Sequence, residues 1–168
     1  MLSVRRLEIV TVAVVVIADQ VTKALVRGRL ALHDSIDVIP GFLSWTRVHN
    51  TGAAFGMMNT ADFPMKTLVI SAIALAALGG VAWYASTVPV KDRLSRFGIA
   101  CVLGGAIGNL IDRATAGYVL DFVDAYWSGW HFWAFNVADA AITVGVGFML
   151  LDIVLELAGQ GHRAPDSV

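Results

Sequence analysis

Carboxylates that stand in apolar surroundings are the residues of this chain most able to do chemistry. Two carboxyl groups about 3 Å apart cannot both ionise easily, so they share one proton and supply an acid and a base together. Such a pair suits hydrolysis by activated water. The aspartates found beside or within apolar runs are Asp19, Asp112, Asp121, Asp124 and Asp139. Spacing alone does not say which of them meet, because they fall on different elements.

Other catalytic and metal-binding chemistries have little support in the sequence. His33, His49 and His131 lack the i, i+4 spacing of a metal-ligand set. Cys101 lies inside an apolar run and offers neither a disulfide nor a zinc site. No serine has a recognisable base partner nearby, so a covalent nucleophile is not favoured. We therefore expect neither a metal site nor a covalent nucleophile.

Two polar pairs have i, i+4 spacing, which places both members on one helix face. Asp19 and Lys23 form a pair that either fixes helix contacts or faces a substrate. Asn109 precedes Arg113, whose guanidinium fork could hold a carboxylate or peptide carbonyls, or could simply extend to the membrane interface. Both pairs stay open between a structural role and a substrate-binding role.

Two further pairs are notable, one at the start of a predicted helix and one within another. Asn136 and Asp139 are three residues apart in the opening turn of a predicted helix, so both project from one face. By position alone, helix capping explains them about as well as catalysis does. Gly104 and Gly108 form a small-xxx-small face, which predicts close helix packing.

The elements that must position these residues are predicted to be membrane spans. The 168 residues are 57% hydrophobic and 15% charged, and their mean hydropathy is +0.71. A soluble fold of this size could not bury so much apolar surface. A span needs about 20 mostly apolar residues. Four segments qualify within one membrane domain, 1–168, at about 7–26, 66–86, 94–113 and 135–157.

The two long connections, about 30–62 and 114–134, are expected to carry the site. The stretch 34–48 favours strands interrupted by Pro40-Gly41, which predicts a small β-hairpin outside the membrane. With the tryptophans of the other connection, this hairpin would form a platform at the headgroup level. The tail, about 159–168, is expected to be disordered.

Charge indicates orientation and excludes one class of partner. The basic residues assigned to the cytoplasmic side are Arg5, Arg6, Lys91, Arg93, Arg96 and Arg163. Both termini are then inside and both long connections outside, although Arg27, Arg29 and Arg47 fall in the outer part. Arg5-Arg6 before an apolar run imitates a secretory signal, which we interpret as an uncleaved anchor. The net charge of -1 and the lack of a basic stripe argue against nucleic-acid binding.

Three functions are compatible with this pattern. They are an aspartyl hydrolase, a proton-coupled or small-solute transporter, and a non-catalytic membrane partner. Intramembrane carboxylates also mark proton relays, so transport is a serious alternative. Its weak points are the small number of spans, the lack of repeated halves and the absence of a polar path across the membrane.

Five blocks of the chain resemble a known family. They are DQVTK at 19–23, NTGAAFG at 50–56, GGAIGNLIDR at 104–113, VLDF at 119–122 and FNVAD at 135–139. Each block is weak alone, but all five in this order on four spans are highly specific. The chain resembles the bacterial lipoprotein signal peptidases (signal peptidase II) over nearly its whole length.

The resemblance implies a mainly α integral membrane fold and an aspartic endopeptidase that cleaves just before the diacylglyceryl-modified cysteine of a prolipoprotein. The family's catalytic aspartates match Asp121 and Asp139. Asp124 matches a position that is not always acidic in the family, so we interpret it as non-catalytic. The residues matching positions that bind substrate or support the site are Asp19, Lys23, Asn50, Gly52, Asn109, Arg113 and Asn136.

The resemblance also sets the expected surroundings. The partners would be lipid-modified prolipoproteins and membrane lipid, and the chain would act as a monomer without a cofactor. It would be a multi-pass protein of the bacterial inner membrane with its active site near the outer face. Gly52, Ala53 and Ala54 are small enough for a peptide backbone to approach closely, and this loop with the hairpin could close over a bound substrate.

Overall fold

A computed structural model describes residues 2–52 and 65–161, and the side chains of 5–52 and 65–158. Ala53 and Ala54 of the expected closing loop, and residues 162–168 of the expected tail, lie outside the described residues. The predicted fold class, a mainly α membrane protein with a small β-sheet, is confirmed.

Four helices in the described part of the chain are long and apolar enough to cross a membrane. They are α1 (Leu2–Arg29), α2 (Lys66–Thr87), α3 (Arg93–Ala116) and α4 (Val137–Gly161). Three of them run several residues beyond the expected spans, because hydropathy marks the apolar part of a helix while its polar ends keep their backbone hydrogen bonds. Apolar side chains on the outer faces, such as Ile9, Leu75 and Leu150, stay exposed, as expected for surfaces that contact lipid.

The central helix of the bundle is α3, which packs against α1, α2 and α4. Close approach depends on glycine. A Cβ on Gly104 would lie 2.8 Å from the Cβ of Val15 on α1, and one on Gly105 would lie 2.3 Å from the carbonyl oxygen of Ala138 on α4. The close packing predicted for the Gly104 face is therefore confirmed.

A four-stranded antiparallel sheet covers one end of the bundle. Its strands are β1 (Ser35–Ile39), β2 (Leu43–Asn50), β3 (Val119–Trp127) and β4 (Trp130–His131), in that order. The hairpin predicted between the first two helices is confirmed as β1 and β2. The connection expected as a loop before α4 instead supplies β3 and β4. Asp121 thus lies on a strand.

The missed strand has a physical explanation. The residues from Val119 to Phe122 are all buried, so the strand shows no alternation of polar and apolar residues. A strand covered on both faces cannot be told from other short apolar runs by periodicity. Leu120 and Phe122 form a small core with Val26 and Leu30, where the end of α1 meets the sheet.

Polar contacts fasten both ends of the bundle. Arg47 of β2 donates to the carbonyls of Arg27 (3.3 Å) and Leu30 (3.0 Å), which end α1. At the opposite end, Arg96 pairs with Glu8 and donates to the carbonyl of Val88 (2.7 Å) just past α2. These contacts satisfy carbonyls that a helix end leaves free.

Candidate active site

Asp121 and Asp139 line one cavity of about 670 Å³ enclosed by α2, α3, α4 and the start of β3. Asp121 is supplied by the strand and Asp139 by the first turn of α4. The other polar residues of the lining are Asn50, Asn109, Arg113 and Thr143. Most of the remaining lining is apolar, with α2 contributing a stripe from Ile70 to Val81. Few polar groups in an apolar cavity are typical of a binding site.

Asp121 is 2% exposed and each of its oxygens accepts a hydrogen bond from an amide side chain. Asn50 donates to Oδ2 at 3.0 Å, and Asn136 donates to Oδ1 at 2.7 Å. Two donors fix the plane of the carboxyl group. An amide donor adds no charge, so the carboxyl group can keep a proton near neutral pH.

Asn136 connects the two candidate catalytic aspartates. Its side-chain oxygen accepts a hydrogen bond from the backbone amide of Asp139 (2.9 Å), while the backbone amide of Asn136 donates to Asp139 Oδ2 (3.3 Å). This reciprocal arrangement is a capping box at the start of α4. Because the Asn136 side chain also binds Asp121, capping and placement in the site occur together. The sequence had left these roles as alternatives.

The electrostatics of the cavity favour a protonated carboxyl group. Burial, and after it the negative charge of Asp139, raise the pKa of Asp121 to about 7. The hydrogen bonds from Asn50 and Asn136 act in the opposite direction, since they stabilise the charged form. Asp139 accepts a further hydrogen bond at Oδ1 from Asn109 (2.8 Å).

Asp19 and Lys23 form the predicted ion pair, with Nζ 2.8 Å from Asp19 Oδ2 and both side chains fully buried. Lys23 also lies 3.0 Å from Asp112 Oδ2 and donates to Asn109 Oδ1 at 3.0 Å. Asp19 and Lys23 are not among the residues that line the cavity. The contacts therefore favour a structural role for Asp19 and Lys23 over a substrate-binding role, the two roles that the sequence left open.

Asp112 is a supporting residue that the sequence analysis did not include among its site residues. It is fully buried, pairs with Lys23 (3.0 Å) and Arg27 (2.8 Å), and accepts the backbone amide of Leu120 at 3.0 Å. One signal could have found it. Asp112 follows Asn109 by three residues, so it lies on a neighbouring part of the same helix face.

Arg113 holds a peptide carbonyl, one of the ligands suggested by its fork of donors. It donates through Nη2 to the carbonyl of Gly52 (3.1 Å) and through Nη1 to that of Asn109 (3.4 Å). The amide of Gly52 in turn donates to Asn50 Oδ1 at 2.9 Å. Gly52 and Asn50 thus join the segment after β2 to the cavity wall.

Asp124 is in a different environment from Asp121. It contacts Ser44 (3.4 Å) and His131 (2.9 Å), and it is not among the residues that line the cavity. Asp124 follows Asp121 by three positions, and an odd offset in a strand places side chains on opposite faces. The described residues contain no group of three histidine, cysteine, aspartate or glutamate side chains arranged to hold a metal.

The chain is similar to proteins of one family. Residues 11–155 match the family model described as Signal peptidase (SPase) II. The chain is 46% identical over 149 residues to a lipoprotein signal peptidase of Symbiobacterium thermophilum, covering 89% of this chain and 95% of the relative. It is 42% identical to one of Syntrophotalea carbinolica, covering 87% and 89%.

A solved structure has the same fold. A bacterial membrane enzyme determined by the in meso method at 2.3 Å superposes with a TM-score of 0.73 at 32% identity. The match covers 96% of this chain and 93% of that one.

Proposed function

Since this chain belongs to the signal peptidase II family, we propose that Asp121 and Asp139 are the catalytic pair with which it cleaves prolipoproteins. The chain is a multi-pass membrane peptidase that removes the signal peptide from these substrates. The transporter alternative has no support, because the relatives are named as peptidases. One observation supports the pair above all. Both carboxyl groups line the same cavity and both are hydrogen-bonded to Asn136.

The proposed mechanism needs one proton on the pair. The ionised aspartate takes a proton from water, and the protonated one hydrogen-bonds the scissile carbonyl as negative charge develops on its oxygen. A pKa of about 7 makes Asp121 the candidate to keep the proton at neutral pH. Asp139 would then be the base. The water oxygen bonds to the carbonyl carbon, the peptide bond just before the lipid-modified cysteine breaks, and the proton taken from water passes to the departing amine.

The charges of the buried groups support a single proton. Asp19 and Asp112 contact Lys23, and Asp112 also contacts Arg27, so two negative and two positive charges balance within this group. Arg113 lies near Asp121 and Asp139 and balances one further negative charge. Asp121 and Asp139 with one shared proton carry a single negative charge, which Arg113 balances. A doubly ionised pair would leave one negative charge uncompensated in a buried site.

The cavity suits a substrate that arrives through the bilayer. Its wall on α2 is apolar, and its polar groups gather where α3 ends and α4 begins. A signal peptide with an apolar helix could lie along the α2 stripe while its cleavage site reaches the aspartates. We propose that the chain works as a monomer among membrane lipids, without a metal or organic cofactor.

We propose further that the site lies near the outer face of a bacterial inner membrane, with both termini in the cytoplasm. Lys91, Arg93 and Arg96 cluster at the end of the bundle away from the sheet, in agreement with the excess of basic residues in cytoplasmic segments. Two of the three outer arginines have structural partners. Arg27 pairs with Asp112, and Arg47 caps α1.

Single replacements test the proposed pair. Asp121→Asn and Asp139→Asn remove one carboxyl group each with little change of shape, so conversion of a lipid-modified precursor in detergent should fall to background. Asp124→Asn is the matched control and should keep activity, and EDTA should have no effect. Substantial turnover by either of the first two variants would remove the pair from the mechanism.

A further inference from the structure

We propose that Asp112 and Asp19 are positioning residues that hold the backbone on which the two catalytic aspartates stand, an inference that rests on the proposed function. Each accepts a hydrogen bond from the backbone amide of the residue directly before a catalytic aspartate. The two aspartates come from elements far apart in sequence. Their separation therefore depends on contacts that tie both elements to one support.

Asp112 ties the strand to α3. Its Oδ2 accepts the amide of Leu120 at 3.0 Å, and Leu120 has no exposed surface. Asp121 follows immediately, so a shift of the Leu120 amide would move the Asp121 backbone as well. Because a one-residue slip would turn every side chain of the strand to the opposite face, an anchor at this amide also specifies the register of Asp121.

Asp19 does the corresponding work for α4. Its Oδ1 accepts the amide of Ala138 at 3.0 Å, and Asp139 is the next residue. The first amides of a helix have no partner within the helix, and a negative charge is favoured at that end. Asp19 thus satisfies an amide that would otherwise be unpaired in a buried place, and it ties α4 to α1.

Lys23 joins the two anchors. Its ammonium lies 2.8 Å from Asp19 and 3.0 Å from Asp112, and it donates to Asn109, which donates to Asp139. Asp19, Lys23 and Asp112 are all fully buried. Buried charges are costly unless paired. In this group the charges are paired with one another, and the two carboxylates also bind the backbone segments that carry the catalytic aspartates.

The contacts of Asp112 divide in a way that allows a sharp test. Lys23 and Leu120 share Oδ2, whereas Arg27, which is 30% exposed, binds Oδ1 and can turn toward solvent. Asp112→Asn keeps the length of the side chain and one acceptor oxygen for the shared position. Asp112→Glu keeps the charge but displaces the carboxylate by one methylene group. Positioning and charge balance therefore predict opposite orders of activity.

The measurement is kcat and KM per folded enzyme for both variants, with precursor conversion in detergent and the folded fraction determined by thermal unfolding. We expect Asp112→Glu to lose roughly 100-fold in kcat with KM nearly unchanged, since a misplacement of about 1 Å costs that much. Asp112→Asn should lose less than about tenfold. Asp152 is the matched control, because it bridges α4 to Ser95 of α3 (2.5 Å) at the other end of the bundle.

Asp152→Glu and Asp152→Asn should change the unfolding temperature but leave kcat per folded enzyme as in the parent. The inference is overturned if Asp112→Glu is at least as active as Asp112→Asn, or if both Asp112 variants match their Asp152 counterparts. If Asp112→Glu does not fold, Asp19→Glu and Asp19→Asn are compared for Asp139. Asparagine there keeps an oxygen for the Ala138 amide, while its amide nitrogen replaces the oxygen that Lys23 contacts. Activity of Asp121→Asn or Asp139→Asn would instead refute the proposed function itself.

Discussion

At the residue scale, Asn136 is the side chain that connects the two candidate catalytic aspartates. One amide group caps α4 through its oxygen and binds Asp121 through its nitrogen, while the Asn136 backbone amide binds Asp139. The nitrogen also lies within 3.3 Å of the carbonyl of Leu120 and the side chain of Asn109. Few other side chains have an acceptor and two donors at this length.

Replacement of Asn136 by serine or alanine separates its two tasks. Serine can still accept the amide of Asp139 but cannot reach Asp121, so Asn136→Ser should keep the cap and lose most activity. Asn136→Ala should lose the cap too and be less stable than the serine variant by about 1 kcal/mol. Thermal unfolding and precursor conversion measure the two effects. Equal stability of the two variants would contradict the capping role.

The raised pKa of Asp121 predicts the pH dependence of catalysis. A carboxyl group with a pKa of about 7 keeps its proton below that pH and loses it above, where the pair no longer has an acid. We therefore expect kcat/KM to fall as the pH rises through about 7. Asn50→Leu removes a donor that stabilises the ionised form, so the fall should move to higher pH.

The control for this pH profile is Ser44→Ala, which alters a contact of Asp124 and should leave the profile unchanged. A profile of Asn50→Leu that moves to lower pH would show that the donor does not act on Asp121 as described.

At the element scale, α3 and α4 must approach closely to bring Asn109 to Asp139. Gly105 allows this, because its Cβ position lies 2.3 Å from the Ala138 carbonyl oxygen and 2.7 Å from Ile142. A methyl group there would push apart the two helices that hold the site.

Gly105→Ala should therefore destabilise the protein by about 1–3 kcal/mol and lower activity per folded enzyme. Gly147→Ala on α4 is the matched control, since nothing lies within 4 Å of its Cβ position and alanine is the better helix former. Unfolding in detergent and precursor conversion would be compared for both. Unchanged stability of Gly105→Ala would contradict the packing described.

At the scale of the whole molecule, the bundle separates an apolar wall from a polar end. The α2 residues of the cavity recur at helical spacing, namely Ile70, Ile73, Ala74, Ala77, Leu78 and Val81. The polar groups of the site lie at the ends of α3 and α4 and on the sheet. A substrate helix along α2 would therefore present its cleavage site to the aspartates.

A bulky residue in this wall should compete with the substrate for space. Ala77→Trp is expected to raise KM about tenfold or more with a smaller effect on kcat, because it fills the cavity at a distance from the aspartates. Ala72→Trp is the control, as Ala72 is exposed and is not among the cavity-lining residues. Equal KM values for the two variants would argue against substrate binding along α2.

Much of this molecule follows from local patterns. Apolar runs of sufficient length specify membrane helices wherever they occur, and i, i+4 spacing alone placed Asp19 beside Lys23. The hairpin of β1 and β2 was also predictable, because strand-forming residues flank Pro40-Gly41. The family resemblance named Asp121 and Asp139, but the local patterns could not distinguish their roles from those of the other aspartates.

Only the tertiary structure decided which of these residues meet. The strand around Asp121 is buried on both faces and leaves no periodic signal, and the partners of Asp112 lie on two other elements, α1 and β3. Contacts between distant segments depend on how the helices pack, which spacing within one segment does not encode. The sequence by itself therefore determined the spans and the local pairs, whereas packing around α3 decided the cavity and the partners of each aspartate.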